Sequence, residues 1–231
     1  MIKTLVSVAT LLVATHTMAD CVDANGSNQS LKLDHSEFSK ISVKGTYTLE
    51  LTQASKFTVE VEAAPSLLNH LKTKVSGERL KISPGRCKET PFLVKVSMPE
   101  LDELDLLGNG QVNMLNTFTG YRIEVDISGN TRGNLDLFLE LIELDVTGNT
   151  DLILTGGSSH LNVQVLGNGN IDATGLLSNT SYVSYWGNGA AKVHAKDFLK
   201  VVARGNAKIG YVGQPNLDVS TKGQATVTPA K

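Results

Sequence analysis

Aromatic side chains are scarce in this chain: Phe, Tyr and Trp make up 5% of its 231 residues. Proline occurs six times and cysteine twice. No apolar run approaches the roughly 20 residues that a helix needs to cross a bilayer. Neither charge dominates, with 21 Lys and Arg against 23 Asp and Glu. That balance excludes a strongly basic nucleic-acid binder and a polyacidic tail protein. The 21 glycines follow no collagen triplet.

Catalytic signatures are equally lacking. The five histidines, His16, His35, His70, His160 and His194, stand alone, without the HxH or HExxH spacing of a zinc site. There is no GxSxG nucleophile elbow and no GxxxxGK[ST] phosphate loop. The calcium-binding nonapeptide repeat is absent too. The chain is therefore expected not to be an enzyme.

The N-terminus reads as a targeting segment. Lys3 precedes a largely apolar run over residues 5–14, and Thr17 and Ala19 place small residues where a signal peptidase reads. Residues 1–19 are expected to be a signal peptide cut before Asp20. The protein is then exported, to the periplasm or to the cell surface. An exported chain with two cysteines invites a Cys21–Cys87 disulfide. Lipidation of Cys21 is the alternative, although Asp20 is unusual before a lipidated cysteine. Residues 20–30, polar and small, are expected to be a flexible lead-in.

What is present is a repeat. Gly-Asn recurs at Gly108-Asn109, Gly129-Asn130, Gly148-Asn149, Gly167-Asn168, Gly187-Asn188 and Gly205-Asn206, and Gly223-Gln224 is a degenerate seventh copy. Successive copies are 18 to 21 residues apart. Four residues before each glycine stand Leu104, Val125, Leu144, Val163, Val183, Val201 and Val219, all aliphatic. Two before it stand Leu106, Ile127, Val146, Val165, Tyr185, Ala203 and Thr221. Polar residues alternate with them, a period of two and hence strands. A window of about 20 residues cannot bury its own apolar face, but stacked windows can. The expected fold is all-β: a single right-handed parallel β-helix, or β-solenoid, of 18–21 residues per coil. Glycine suits a corner of positive φ, asparagine tolerates the same corner, and stacked asparagines can bond to each other.

Residues 31–231 then form one domain, with regular coils over 101–228. Residues 31–100 are less regular and are expected to cap the first coil. Within them FSKISVKGTYTLELTQ, KFTVEVEAA and residues 92–98 read as strands, residues 75–82 as strand, turn and strand, and residues 65–71 as one short helix with Pro65 in its first turn.

FSKISVKGTYTLEL, PSLLNHLKTKVSGERLKIS, VKVSMPELDELDLLGNGQV and the later Gly-Asn coils together resemble the auto-transporter adhesin head GIN domain family of exported bacterial proteins. The resemblance spans roughly residues 33–228. It implies a right-handed parallel β-helix and an adhesion-type role, with an envelope glycan or a surface protein as partner. It brings no active site to these residues.

Two groups of residues are candidates for binding. Glu103/Asp105, Glu124/Asp126 and Glu143/Asp145 repeat Glu-x-Asp in three successive coils. Stacked in register they form two acidic columns on the outer face. Neighbouring like charges repel by about 1 kcal/mol in water and about 3–4 kcal/mol at an effective dielectric of 20. Solvent, basic neighbours such as Arg122 or Arg132, or a calcium ion would offset this. Calcium is the one cofactor the pattern admits. A paired-carboxylate glycosidase is the enzymatic alternative, and a purely structural envelope protein is another. The second candidate is an aromatic platform of Tyr182 and Trp186, with Tyr185 in the inward row.

Overall fold

The structure, a computed structural model, describes residues 27–230. The signal segment 1–19, Cys21, the lead-in up to residue 26, and Lys231 lie outside the described residues. The chain is all-β with a single short helix, and its ten strands form one sheet that does not close on itself.

The repeat occupies β2 (Lys40–Gln53), β7 (Glu103–Met114), β8 (Phe118–Val212), β9 (Asn216–Gly223) and β10 (Thr226–Pro229). β2 pairs in parallel with β7, Ile41 opposite Leu104 and Gly45 opposite Gly108. β7 pairs in parallel with β8, Leu104 opposite Val125, Gly108 opposite Gly129 and Asn109 opposite Asn130. β8 pairs in parallel with β9, Val201 opposite Val219 and Gly205 opposite Gly223. Equivalent residues of successive copies thus face one another. The ladder also starts one copy earlier than the Gly-Asn motif, at Gly45-Thr46 in the strand expected within the less regular cap.

β8 runs for 95 residues because its corners stay in strand conformation. Gly148 shows why this needs glycine. Its φ is +130°, and a Cβ there would lie 2.1 Å from the Gly129 carbonyl oxygen. Gly129, Gly167 and Gly187 repeat the same close approach to the glycine one copy back.

The core follows the two predicted columns. Leu104, Val125, Leu144, Val163, Val183 and Val201 are buried, as are Leu106, Ile127, Val146, Val165, Tyr185 and Ala203. The last copy departs from this pattern. Val219 is 43% exposed and every residue of β9 is exposed. An inward-facing side chain is buried only when another pass lies over it, and β9 borders the end of the stack.

The other end is closed differently. β1 (Gln29–Leu33) lies antiparallel to β3 (Thr58–Ala63), β3 lies antiparallel to β6 (Pro91–Met98), and β6 runs parallel to β2. β4 (Lys72–Ser76) and β5 (Arg79–Ser83) form a hairpin through Gly77 and Glu78, both at φ +60°. β5 also joins β2 in parallel. The helix α1 is shorter than expected, Pro65–Leu68, with Pro65 in the first turn and Leu67 buried. Gln29 and Ser30, expected in the lead-in, open β1 instead, opposite Ala63 and Glu62. There they cover backbone groups that an edge strand would leave unpaired. Cys87 is buried and disulfide-bonded; its expected partner, Cys21, lies outside the described residues.

Candidate functional site

Parallel register stacks the Glu-x-Asp residues. Glu103 stands opposite Glu124, and Asp105 opposite Asp126. Oxygens of Glu103, Asp105 and Asp126 lie within 4.8 Å of one another. Arginines offset the repulsion. Arg79, at the start of β5, donates to Glu103 at 2.5 Å and also to Asp105. Lys40 adds a contact to Glu103 at 3.4 Å. Arg122 donates through Nε to Glu143 at 2.9 Å and through Nη2 to Glu124 at 2.8 Å. Of the two arginines named from the sequence, Arg122 serves this face, whereas Arg132 lines a different feature described below.

The titration of the carboxylates follows from these contacts. The Arg79 hydrogen bond holds Glu103 below its ordinary value. Asp126 and Asp145 are pushed up, first by partial burial and then by neighbouring carboxylates. Neither aspartate has an ion-pair partner among the described residues. Calcium takes six to eight oxygens. Two of the three clustered residues already accept from the Arg79 guanidinium, so an ion there would share or displace that arginine.

Tyr182 and Trp186 lie on this same outer face, each 45% exposed. The Arg204 guanidinium sits 4.6 Å from the Trp186 ring centroid, a cation–π contact. Tyr182 meets Phe198 edge-on at 6.1 Å. Trp186 and Asp145 flank one cleft of about 340 Å³ together with Gln164 and Leu166. The acidic and aromatic candidates are therefore parts of one surface. Tyr185 is fully buried, and its hydroxyl donates to the Gly169 carbonyl at 2.7 Å.

A third feature pairs an anticipated ladder with a groove that the sequence did not announce. The asparagines after the corner glycines form a continuous amide ladder. Nδ2 of Asn130 donates to Asn109 at 2.7 Å, Asn149 to Asn130 at 2.7 Å, Asn168 to Asn149 at 3.3 Å and Asn188 to Asn168 at 3.0 Å. The ladder lines a groove of about 750 Å³ that extends from Thr46 and Tyr47 to Asn188 and Gly189. Arg132, Asp151 and Asn170 line it as well.

Between the ladder and those residues the sequence places Gly110, Thr131, Thr150, Gly169 and Gly189. Two tyrosines bracket this column. A Cβ on Gly110 would strike the Tyr47 ring at 2.4 Å, and one on Gly189 would meet the Tyr185 hydroxyl at 2.5 Å. Thr131 and Thr150 stand between them, 3% and 5% exposed.

The hydroxyls of Tyr47, Thr131 and Thr150 are buried without a hydrogen-bond partner. Each such group costs about 1–3 kcal/mol. Burial raises the Tyr47 phenol well above its ordinary value; the nearby Thr131 hydroxyl opposes the rise without meeting hydrogen-bond geometry. A sequence signal for this column existed. It holds small or hydroxyl-bearing residues where neighbouring inward columns are aliphatic.

A family model described as "Putative auto-transporter adhesin, head GIN domain" matches residues 37–215. Among solved structures, a putative adhesin from Bacteroides fragilis superposes with a TM-score of 0.75 at 20% identity, covering 89% of this chain and 98% of that one. A putative adhesin from Parabacteroides distasonis gives a TM-score of 0.69 at 24% identity over 89% and 98%. A structure from the same organism titled a putative lipid binding protein gives 0.59 at 22% identity over 91% and 99%. At these identities the likeness is one of fold. No curated protein matches the chain significantly.

Proposed function

The chain belongs to the auto-transporter adhesin head GIN domain family, and from that premise we propose that it is an exported, non-enzymatic adhesion module of the bacterial cell envelope. Its architecture in this reading is a right-handed parallel β-helix. In-register parallel pairing of equivalent glycines supports that winding. Export is supported by the expected signal at residues 1–19 and by disulfide-bonded Cys87, since disulfides persist in oxidising compartments. No helix among the described residues is long and apolar enough to cross a membrane.

One observation carries the reading: a long polar groove runs across successive strands of a ladder whose register is held by stacked backbone. A rigid stack presents such a surface without the ordering cost that a mobile loop would incur on binding. Four of the six repeated carboxylates, Glu103, Asp105, Glu124 and Glu143, are instead held by Arg79 and Arg122.

Beads coated with the purified protein are expected to attach to isolated bacterial envelopes or to mucin-coated surfaces. Beads carrying heat-denatured protein serve as the control. A reducing-end assay on the same surfaces should detect no released sugar. Equal attachment by native and denatured protein would remove the adhesive role, and sustained sugar release would replace it with an enzymatic one.

A further inference from the structure

We propose that β9 is the interface of a twofold dimer, in which two copies of this chain pair their β9 strands antiparallel with Ser220 on the axis. The inference goes beyond the adhesive reading and does not depend on it.

The composition of β9 is that of an interior strand. Leu217 and Val219 stand opposite Leu199 and Val201, which are buried, yet they are themselves 46% and 43% exposed. Among the described residues no strand pairs with the outer edge of β9. The edge of β10 is blunted instead. The Ala230 N–H donates to the Tyr211 carbonyl on β8. The preceding residue, Pro229, therefore faces away from β8, where it lacks the donor that another strand would need. β9 carries no proline.

The backbone restricts the register. Along a strand, successive residues direct their N–H and C=O groups to opposite edges. Gln224 donates to the Gly205 carbonyl on β8 at 2.8 Å. Glu124, which precedes Gly129 by as many residues as Asp218 precedes Gly223, likewise donates one copy back, to Asp102 at 2.9 Å. Even-numbered residues of β9 thus bond to β8. Leu217, Val219 and Thr221 turn their backbone groups to the free edge. In an antiparallel pair such residues must stand opposite residues of the same kind, so that each pair exchanges both bonds.

The charges choose among the registers that remain. With Ser220 on the axis, Val219 pairs with Thr221 of the second copy. Asp218 then faces Lys222 of the second copy, and symmetry makes the contact twice. These are the non-hydrogen-bonded positions, where Cα atoms approach to about 4.5 Å and side chains are closest. Lys222 is suited to this contact. It stands opposite Arg204 on β8, a like charge, and has no ion-pair partner among the described residues. Asp218 meets Lys200 through Oδ2 at 2.9 Å, which leaves Oδ1 for the second copy.

The same pairing completes the core. Directly opposite residues of an antiparallel pair point to one face of the sheet, so the inward columns of both copies lie on the same side of the joined strands. Each copy then supplies the further strand that Leu217 and Val219 lack in the monomer.

The test is sedimentation equilibrium of the purified protein from micromolar to millimolar concentration. A monomer–dimer equilibrium with no larger species is expected. Lys222→Asp and Asp218→Lys each place like charges opposite one another across the axis, and each should weaken the dimer by about tenfold or more. At a concentration where the protein is monomeric, Lys222→Asp should melt no lower than the native chain, because it removes the like charge beside Arg204. Mixing the two single variants restores both opposite-charge pairs, so they should form a heterodimer of nearly native affinity. The double variant should dimerise with itself again.

A protein that stays monomeric at millimolar concentration would overturn the proposal. So would undiminished dimerisation of either single variant, or single variants that remain apart when mixed. Open-ended growth with concentration would overturn the twofold arrangement, because only a head-to-tail contact fails to close.

Discussion

The acidic outer face and the amide groove are built by the same operation, stacking like residue on like, and they end in opposite states. Stacked carboxylates repel, so the acidic columns need cations from outside the column, and Arg79 and Arg122 supply them. Stacked primary amides attract, because each side chain is both donor and acceptor. The asparagine ladder satisfies itself and still has polar groups to spare. On the acidic face Glu103, Asp105, Glu124 and Glu143 are paired, while among the described residues Asp126 and Asp145 are not. The neutral ladder bonds to itself and keeps further donors and acceptors.

The largest test of this contrast removes what both regions share. Gly148→Val places a side chain against the Gly129 carbonyl at positive φ, and should cost about 3–5 kcal/mol. Gly77→Ala is the control. Its φ is also positive, at +60° against +130° for Gly148, but it meets nothing within 4 Å, so only the backbone term of about 1–2 kcal/mol applies. Chemical unfolding of both variants checks the difference. If the two cost the same, stacking contact is not what demands glycine.

The next effect belongs to the acidic face alone. Arg79→Ala strips Glu103 and Asp105 of their shared partner, for a loss of about 1–2 kcal/mol that salt should partly restore. The pH dependence has a definite sign. Arg79 depresses Glu103 in the folded state. That stabilisation is present above the ordinary carboxylate range and is lost as pH falls through the lowered folded value. The variant should lack this acid-side loss. With Arg79 gone, millimolar calcium should recover some stability in the variant and have little effect on the native protein.

The smallest effect is a gain. Asp126 and Asp145 are raised by partial burial and by their neighbours. An acid with a raised folded value is penalised once pH exceeds its unfolded value, and the penalty is complete above the folded one. Asp126→Asn/Asp145→Asn should therefore stabilise the protein by about 0.5 kcal/mol at pH 7. The gain should shrink toward pH 4, which thermal melts across that range would detect.

Much of the fold could be read along the chain because its information is local and repeated. The alternation around each Gly-Asn identified the buried columns. The register followed once equal spacing was taken to mean stacking. Gly45-Thr46 escaped because threonine replaces asparagine there, although Ile41, Val43 and Leu49 keep the offsets of the later copies. Arg79 escaped because it lies in a hairpin 24 residues before Glu103, a distance that no local pattern bridges. Val219 has the right residue type and the wrong neighbour, since burial of an inward column depends on a pass beyond it. The groove escaped because Thr131 and Thr150, read singly, are ordinary turn residues. Their isolation emerges only between the rings of Tyr47 and Tyr185.

The sequence by itself determined the strand period, the spacing between copies, the inward columns and the ladder of corner residues. Each of these rests on residue type and spacing, which survive without coordinates. Only the tertiary structure decided which charges are already paired, which end of the stack is covered and which hydroxyls are buried without partners. Those outcomes depend on distances between groups far apart in the chain, and a one-dimensional pattern carries no such distances.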